Sequence, residues 1–443
     1  MRIQLSDHFT YGRLLRFVLP TVVMMIVTSV YGIVDGLFIS NVVGKNAFAS
    51  VNLIMPFLMA LSAFGFMIGT GGSALVSKTL GEGDKDKAHR YFSMLIWVTA
   101  AVGAVLSAIG FIFMPQISKL LGASALLIDN CVLYGRTIVA AGTFFMLQNA
   151  FQSFFVVAEK PKLGLLVSAL AGACNIVLDF FMVYVFRMGV FGAALATIIS
   201  QGLGGLIPTA YFLSENDSLL RLVPSQLDLR ALGRACFNGS SEMMTNLSMS
   251  LVGMLYNYQL MHFAGEDGVA AYGVIMYVNM IFLSFFLGYS IGCAPLVGFN
   301  YGANHSAELK NLFRKSLILT AAIGVAMTAT AMMLAAPLSA VFVGYDRALL
   351  RMTAHGLRLY SISFLICGFN VFSSAFFTAL SNGPLSALIS FLRTLVFEAG
   401  AVLILPHLFG LDGIWFAITA AESAALVVSF ALLASRRGEY HYA

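Results

Sequence analysis

A chain of 443 residues that is 59% apolar and only 10% charged, with a mean hydropathy of +0.89, has too few polar side chains to cover a water-facing surface. Its composition excludes a soluble globule and implies an all-α membrane protein. The net charge of +5 and pI near 8.9 reside in loops, where they suit anionic lipid and require no nucleic acid.

Apolar stretches of about 20 residues or more can cross about 30 Å of hydrocarbon as helix. They lie at 13–39, 47–77, 91–114, 131–157, 163–186 and 189–213, and again at 235–261, 268–298, 312–341, 352–379, 384–408 and 412–434. The opening segment, Met1 to Tyr11, is short and polar and is expected to lie along the membrane interface as an amphipathic lead into the first span. No cleavable signal peptide is expected, because the first apolar run continues too long without a small-residue cleavage site. Pro20 falls inside that run and removes a backbone hydrogen bond, which marks a kink or a hinge.

A shift of 221 residues lays the second half of the chain on the first. Gly44 then meets Gly265, Met55 meets Met276, Gly81 meets Gly302, Asn149 meets Asn370 and Gly189 meets Gly410. Six spans return each half to its starting side, so the expected architecture is twelve transmembrane helices in two pseudo-twofold-related six-helix bundles. Residues 1–214 form the N-lobe, 215–234 a linker and 235–443 the C-lobe. Many secondary transporters are duplicated in this way, with the substrate path between the bundles. Lys and Arg crowd one set of loops (Arg2, Arg13, Arg16, Lys78, Lys85, Lys87, Arg90, Lys160, Lys162, Arg221, Arg230, Arg234, Lys310, Arg314, Lys315, Arg436, Arg437), while Lys45, Lys119, Arg187, Arg347 and Arg351 lie in the other set. The positive-inside rule therefore puts both termini in the cytoplasm.

Five acids fall inside the spans: Asp35, Asp179, Glu242, Glu398 and Glu422. A carboxylate in hydrocarbon costs several kcal/mol unless it is neutral, paired or facing a wet cavity. Asn175 precedes Asp179 by one turn, and Thr197 lies on the next span. At 1.5 Å per residue, Asp35, Asp179 and Thr197 reach depths of roughly 6, 10 and 12 Å from one surface. Two carboxylates, an amide oxygen and a hydroxyl at similar depth suit Na⁺; two close acids equally suit a shared proton. With the two-residue insertion before Pro384, Glu398 falls on Asn175, and Glu422 falls on Gln201. Both lie near the midplane of the C-lobe, where they are candidates to meet a cationic substrate. Glu242 lies about two turns inside the seventh span and is a further candidate. Arg393 is also embedded and is about 140° around the helix from Glu398, so its partner is expected on another helix or a backbone carbonyl.

No phosphate loop of the G-x-x-x-x-G-K-[ST] type occurs. The histidines are dispersed, no Ser/His/Asp or Cys/His grouping stands out, and the five cysteines form no C-x-x-C pair and read as reduced core residues. No enzyme chemistry and no cofactor is expected.

Leu19-Pro20, Val34-Asp35-Gly36, the turn Ala158-Glu-Lys-Pro-Lys162, Asn175-Ile-Val-Leu-Asp179 and Gly189-Val-Phe-Gly192 with Thr197 together resemble the multidrug and toxic compound extrusion (MATE) family, most of all its prokaryotic DinF-like and MepA-like members. The resemblance covers essentially all twelve spans. It implies two six-helix lobes around a central cleft, in a prokaryotic cytoplasmic membrane. It also implies a monomer that exports small amphiphilic, often cationic compounds by antiport against Na⁺ or H⁺. The family's N-lobe cation ligands match Asp35, Asn175, Asp179 and Thr197, and its bending first helix matches Pro20. A lipid-linked precursor flippase of the same superfamily is the alternative; it predicts several cationic side chains in the cleft, where this chain embeds acids and the single Arg393.

Overall fold

With no water in hydrocarbon to satisfy backbone N–H and C=O groups, a spanning chain must pair them within itself. A computed structural model describes residues 3–442, and among these the chain does so with helices and no strands. Met1 and Ala443, Arg2 from the loop charges above, and the side chain of Lys45 lie outside what is described.

The first half comprises α1 (Tyr11–Phe38), α2 (Lys45–Gly81), α3 (Lys85–Leu120), α4 (Ile128–Ala140), α5 (Gly142–Val157), α6 (Pro161–Asp179) and α7 (Gly189–Leu213). After the short helix α8 (Leu229–Asn238) come α9 (Ser240–Gly302), α10 (Ser306–Met333), α11 (Ala335–Val343), α12 (Arg347–Ser361), α13 (Phe364–Ala379), α14 (Gly383–Phe391), α15 (Glu398–Phe409) and α16 (Leu411–Tyr440). Among the described residues nine helices are long and apolar enough to cross a membrane; the bent pairs α4–α5 (56°) and α12–α13 (48°) bring the number to eleven. The 63-residue α9 breaks at Gly265 (φ 62°, ψ −151°), where it divides into two spans, so the described residues hold twelve.

The duplication is visible in the backbone. Left-handed residues recur 221 apart, at Gly44 and Gly265, Gly83 and Asn304, and Gly189 and Gly410. The bends of α4–α5 and α12–α13 fall at matching places, around Ala141 and Ile362. Gly44 and Gly265 show why the residue type recurs: a positive φ beyond a spanning helix strains any side chain with a Cβ.

The halves are joined by seams of small residues, since lipid supplies no hydrophobic drive for helix association and close backbone approach must supply contact instead. α1 runs antiparallel to the second half of α9, with Val18 against Gly292, Val22 against Gly288, and Ser29 Oγ 2.6 Å from Ser284 Oγ. On the side that carries the termini, α2 packs through Gly71 on Ala235 and Gly239, and through Gly81 on Phe299, with no room for a Cβ at either glycine. The α1 helix passes through Pro20 unbroken.

The opening segment differs from the sequence expectation. Its apolar side turns to protein rather than to lipid: Leu5 and Phe9 are fully buried among residues of α1, α9, α10 and α13, while Gln4, Ser6, His8 and Thr10 are exposed. The segment also ties the halves together. Leu5 N donates to Glu159 Oε1 (2.7 Å) beyond α5, while Phe9 N donates to Glu308 Oε1 (2.9 Å) and Asn311 Nδ2 donates to Phe9 O (2.9 Å) on α10. Its backbone N–H groups meet a carboxylate from each half, Glu159 and Glu308, which holds Leu5 and Phe9 against protein.

Candidate functional site

Three helices deliver the N-lobe cluster. α1 carries Asp35 near its far end, α6 carries Asn175 and Asp179 one turn apart, and α7 carries Thr197. Asp35 is 8% exposed, Asn175 1% and Asp179 not at all. The carboxyls of Asp35 and Asp179 lie within hydrogen-bonding reach of each other. As carboxylates neither can donate, so Asp35 Oδ1, both Asp179 oxygens and both amide atoms of Asn175 have no protein partner. Two bare carboxylates this close in a low-dielectric interior repel by several kcal/mol unless a cation or a proton lies between them. The donor set of carboxylate and amide oxygens fits a hard monovalent cation. Thr197 is half-buried and its hydroxyl donates to Ala193 O (3.0 Å), so the pairing seen is that of the two aspartates.

Two tyrosines that sequence reasoning passed over complete the surroundings. Buried Tyr134 on α4 stands near both aspartates, and Tyr31, one turn before Asp35, lies near Asp35 and Gln148 of α5. The i, i+4 spacing of Tyr31 to Asp35 was the available signal.

A second site lies in the central cavity, whose walls are mostly C-lobe. Glu242, Glu398, Glu422 and Arg393 all face it, with Phe66, Thr70 and Ser73 of α2 on the opposite wall. Arg393 does not pair along its own helix but reaches α16: its Nε lies 2.7 Å from Glu422 Oε1. Asn370 Nδ2 donates to Glu422 Oε2 (2.7 Å) and to its backbone oxygen (2.9 Å), and Ser429 Oγ donates to Asn370 Oδ1 (2.8 Å). This network is closed. The repeat-equivalent groups of the N-lobe are open: Gln201 Oε1 and Asn149 Nδ2 have no protein partner.

The described residues contain three π-helical segments, and each adjoins an embedded charge. Ile39–Val43 begins one turn past Asp35, Phe180–Val185 follows Asp179 directly, and Leu392–Phe397 contains Arg393 and directly precedes Glu398. A π turn widens the helix and frees backbone groups, and such turns gather at functional sites.

The geometry agrees with what the chain is similar to. A family model described as MatE matches residues 20–181 and 243–401, which include Asp35, Asp179 and Glu398 but not Glu242 or Glu422. The multidrug export protein MepA of Staphylococcus haemolyticus (strain JCSC1435) is 24% identical over 98% of this chain and 95% of the relative. MepA of Staphylococcus aureus (strain MRSA252) is 22% identical over 95% and 94%. Among solved structures, the outward-facing conformation of a multidrug resistance MATE family transporter of the MOP superfamily superposes with a TM-score of 0.92 at 22% identity, covering 98% of both chains. Two bundles of six helices, the repeat and a match over most of the chain converge: this membrane-embedded, multi-pass protein belongs to the MatE family of transporters.

Proposed function

We propose that this protein is an antiporter, driven by Na⁺ or H⁺, that exports amphiphilic and often cationic compounds by rocker-switch alternating access. The observation that carries the reading is the buried, unpartnered pair Asp35 and Asp179 with Asn175 beside it. Relatives named as multidrug export proteins, aligned over nearly the whole chain, support it from outside.

In this reading the ion enters the Asp35, Asn175, Asp179 and Thr197 site from the far side, removes the repulsion between the carboxylates and favours the conformation that releases substrate. Its release on the terminus side resets the cycle. α1 transmits the change because it carries Asp35 and also forms the long seam with α9; Pro20 lets it bend, since its ring leaves a backbone carbonyl one turn earlier without a donor. Glu242, Glu398 and Glu422 present the cavity's negative charge to cationic substrates. Both termini are cytoplasmic, in a prokaryotic inner membrane, and the protein works as a monomer without catalytic chemistry. One charge moving inward releases about 2.3 kcal/mol per 100 mV. A tenfold substrate gradient requires about 1.4 kcal/mol.

The test is dye efflux from proteoliposomes under imposed Na⁺ or H⁺ gradients. Asp35→Asn and Asp179→Asn are expected to abolish gradient-driven export. Export by both variants at the native rate under either gradient refutes the assignment.

A further inference from the structure

The polar bonds that join the two halves are unevenly placed. Among the described residues, the hydrogen bonds that run from α1–α7 and the segment before them to α9–α16 all end on His8 or Phe9, apart from Ser29 with Ser284. Phe9 N donates to Glu308 Oε1, Asn311 Nδ2 and Lys315 Nζ both donate to Phe9 O, and His8 Nδ1 lies 2.6 Å from Glu308 Oε2. Lys315 also stands over the Tyr11 ring, 5.3 Å from its centroid. Elsewhere on the terminus side α2 meets α9 through backbone, Gly81 against Phe299 and Gly302 against Lys78, and through Lys78 over the Tyr301 ring.

The repeat shows that this attachment does not come with the fold. At a shift of 221, Leu5 falls on Gln226 and Phe9 on Arg230, both exposed, while Glu308 falls on Lys87, Asn311 on Arg90 and Lys315 on Met94. The docking residue and the groups that receive it are thus present together on one side of the repeat and absent together on the other.

Phe9 has no slack. It directly precedes Thr10, whose hydroxyl caps α1 by accepting from Arg13 N, and four residues earlier Leu5 N is held by Glu159 at the turn between α5 and α6. Both ends of the segment are therefore fastened to the first half, while the Phe9 backbone is fastened to α10 of the second. Separation of the halves on this side breaks one set of bonds. Glu159 is buried with Leu5, whereas His8 is 69% exposed beside Glu308, so water reaches the α10 bonds and can replace them as they part.

We propose that residues 3–10 are a lock on the terminus side: docked on α10 they hold that side shut, and Phe9 leaves Glu308, Asn311 and Lys315 whenever that side opens. The proposal rests on the alternating-access reading and adds to it the element that sets how often the terminus side opens.

Two experiments on the full chain test it. In nanodiscs, spin labels at the terminus-side ends of α2 and α10 report the closed and open distances, with neither ion nor substrate added. Phe9→Ala is expected to raise the open-to-closed ratio at least about tenfold. Glu308→Ala should shift it the same way, and Glu308→Gln, which keeps an acceptor oxygen for Phe9 N, should shift it less. Labels on the opposite face should report closure of that face, whereas a segment that merely stabilises the fold would broaden the distances on both faces. In proteoliposomes, oxidation of the pair His8→Cys/Glu308→Cys should crosslink the segment to α10 and arrest dye efflux, and reduction should restore it, with each single variant as control. Native distances in Phe9→Ala, equal broadening on both faces, a pair that does not crosslink, or a crosslinked pair that still exports would overturn the proposal. The distances are read without ion or substrate, so they stand apart from the efflux test of Asp35 and Asp179.

Discussion

Replacing Arg393 by Met removes the cation from the closed network of the C-lobe. The Glu422 side chain is 2% exposed and Arg393 13%, so the pair is shielded from water and salt. Without the guanidinium, Glu422 keeps only Asn370 as a side-chain donor and remains a buried, uncompensated charge. Breaking a buried pair from one side costs about 3–5 kcal/mol, whereas exchanging both partners for apolar or neutral groups of similar size is often near neutral. The double variant Arg393→Met/Glu422→Gln should therefore recover at least about 2 kcal/mol of what the single variant loses. Equilibrium unfolding in mixed micelles measures both variants and their coupling. A single variant that costs less than about 1 kcal/mol, or a double variant as unstable as the single, would show that the pair carries no charge-compensating role.

The terminal segment supplies a second prediction: Glu308→Ala removes the carboxylate that accepts from Phe9 N and Asn311 Nδ2, and charge-assisted bonds of this kind are worth about 1.5–3 kcal/mol each. Hydrogen exchange should become faster in residues 3–10 and at the start of α10, while exchange around Asp35 is unchanged. Gly71→Leu puts a side chain where the backbone of Ala235 and Gly239 lies, so it should hold the terminus side apart, which distance measurements between spin labels on α2 and α8 can read. Pro20→Ala restores the missing helix bond and should slow substrate turnover several-fold while ion binding persists, separable by comparing transport with equilibrium ion titration.

The spans, the duplication and the acid pair could be read from the chain because hydrocarbon imposes long apolar runs and makes every embedded carboxylate conspicuous. What lay between helices could not. Asp35 and Asp179 sit at matching depths in the sequence, but their meeting depends on how α1 and α6 rotate. Arg393 had no legible partner for the same reason: its guanidinium finds Glu422 only once α16 is docked. The π turn Phe180–Val185 is written entirely in apolar residues and leaves no pattern that distinguishes it from α-helix. The bends at Ala141 and Ile362 interrupt runs that read as continuous, because an apolar helix can turn inside protein without a polar residue to mark the place. The opening segment was misread since alternating polar and apolar residues do not say whether lipid or protein takes the apolar side; Leu5 and Phe9 found protein.

The central claim is that the Asp35–Asp179 pair holds the ion exchanged for substrate. It is tested most directly by titrating purified protein with tetraphenylphosphonium and counting the protons or Na⁺ ions released. The native protein should release the ion as substrate binds, whereas Asp35→Asn and Asp179→Asn should bind substrate with that release lost. Release of the same number of ions by Asp179→Asn as by the native protein would contradict the account.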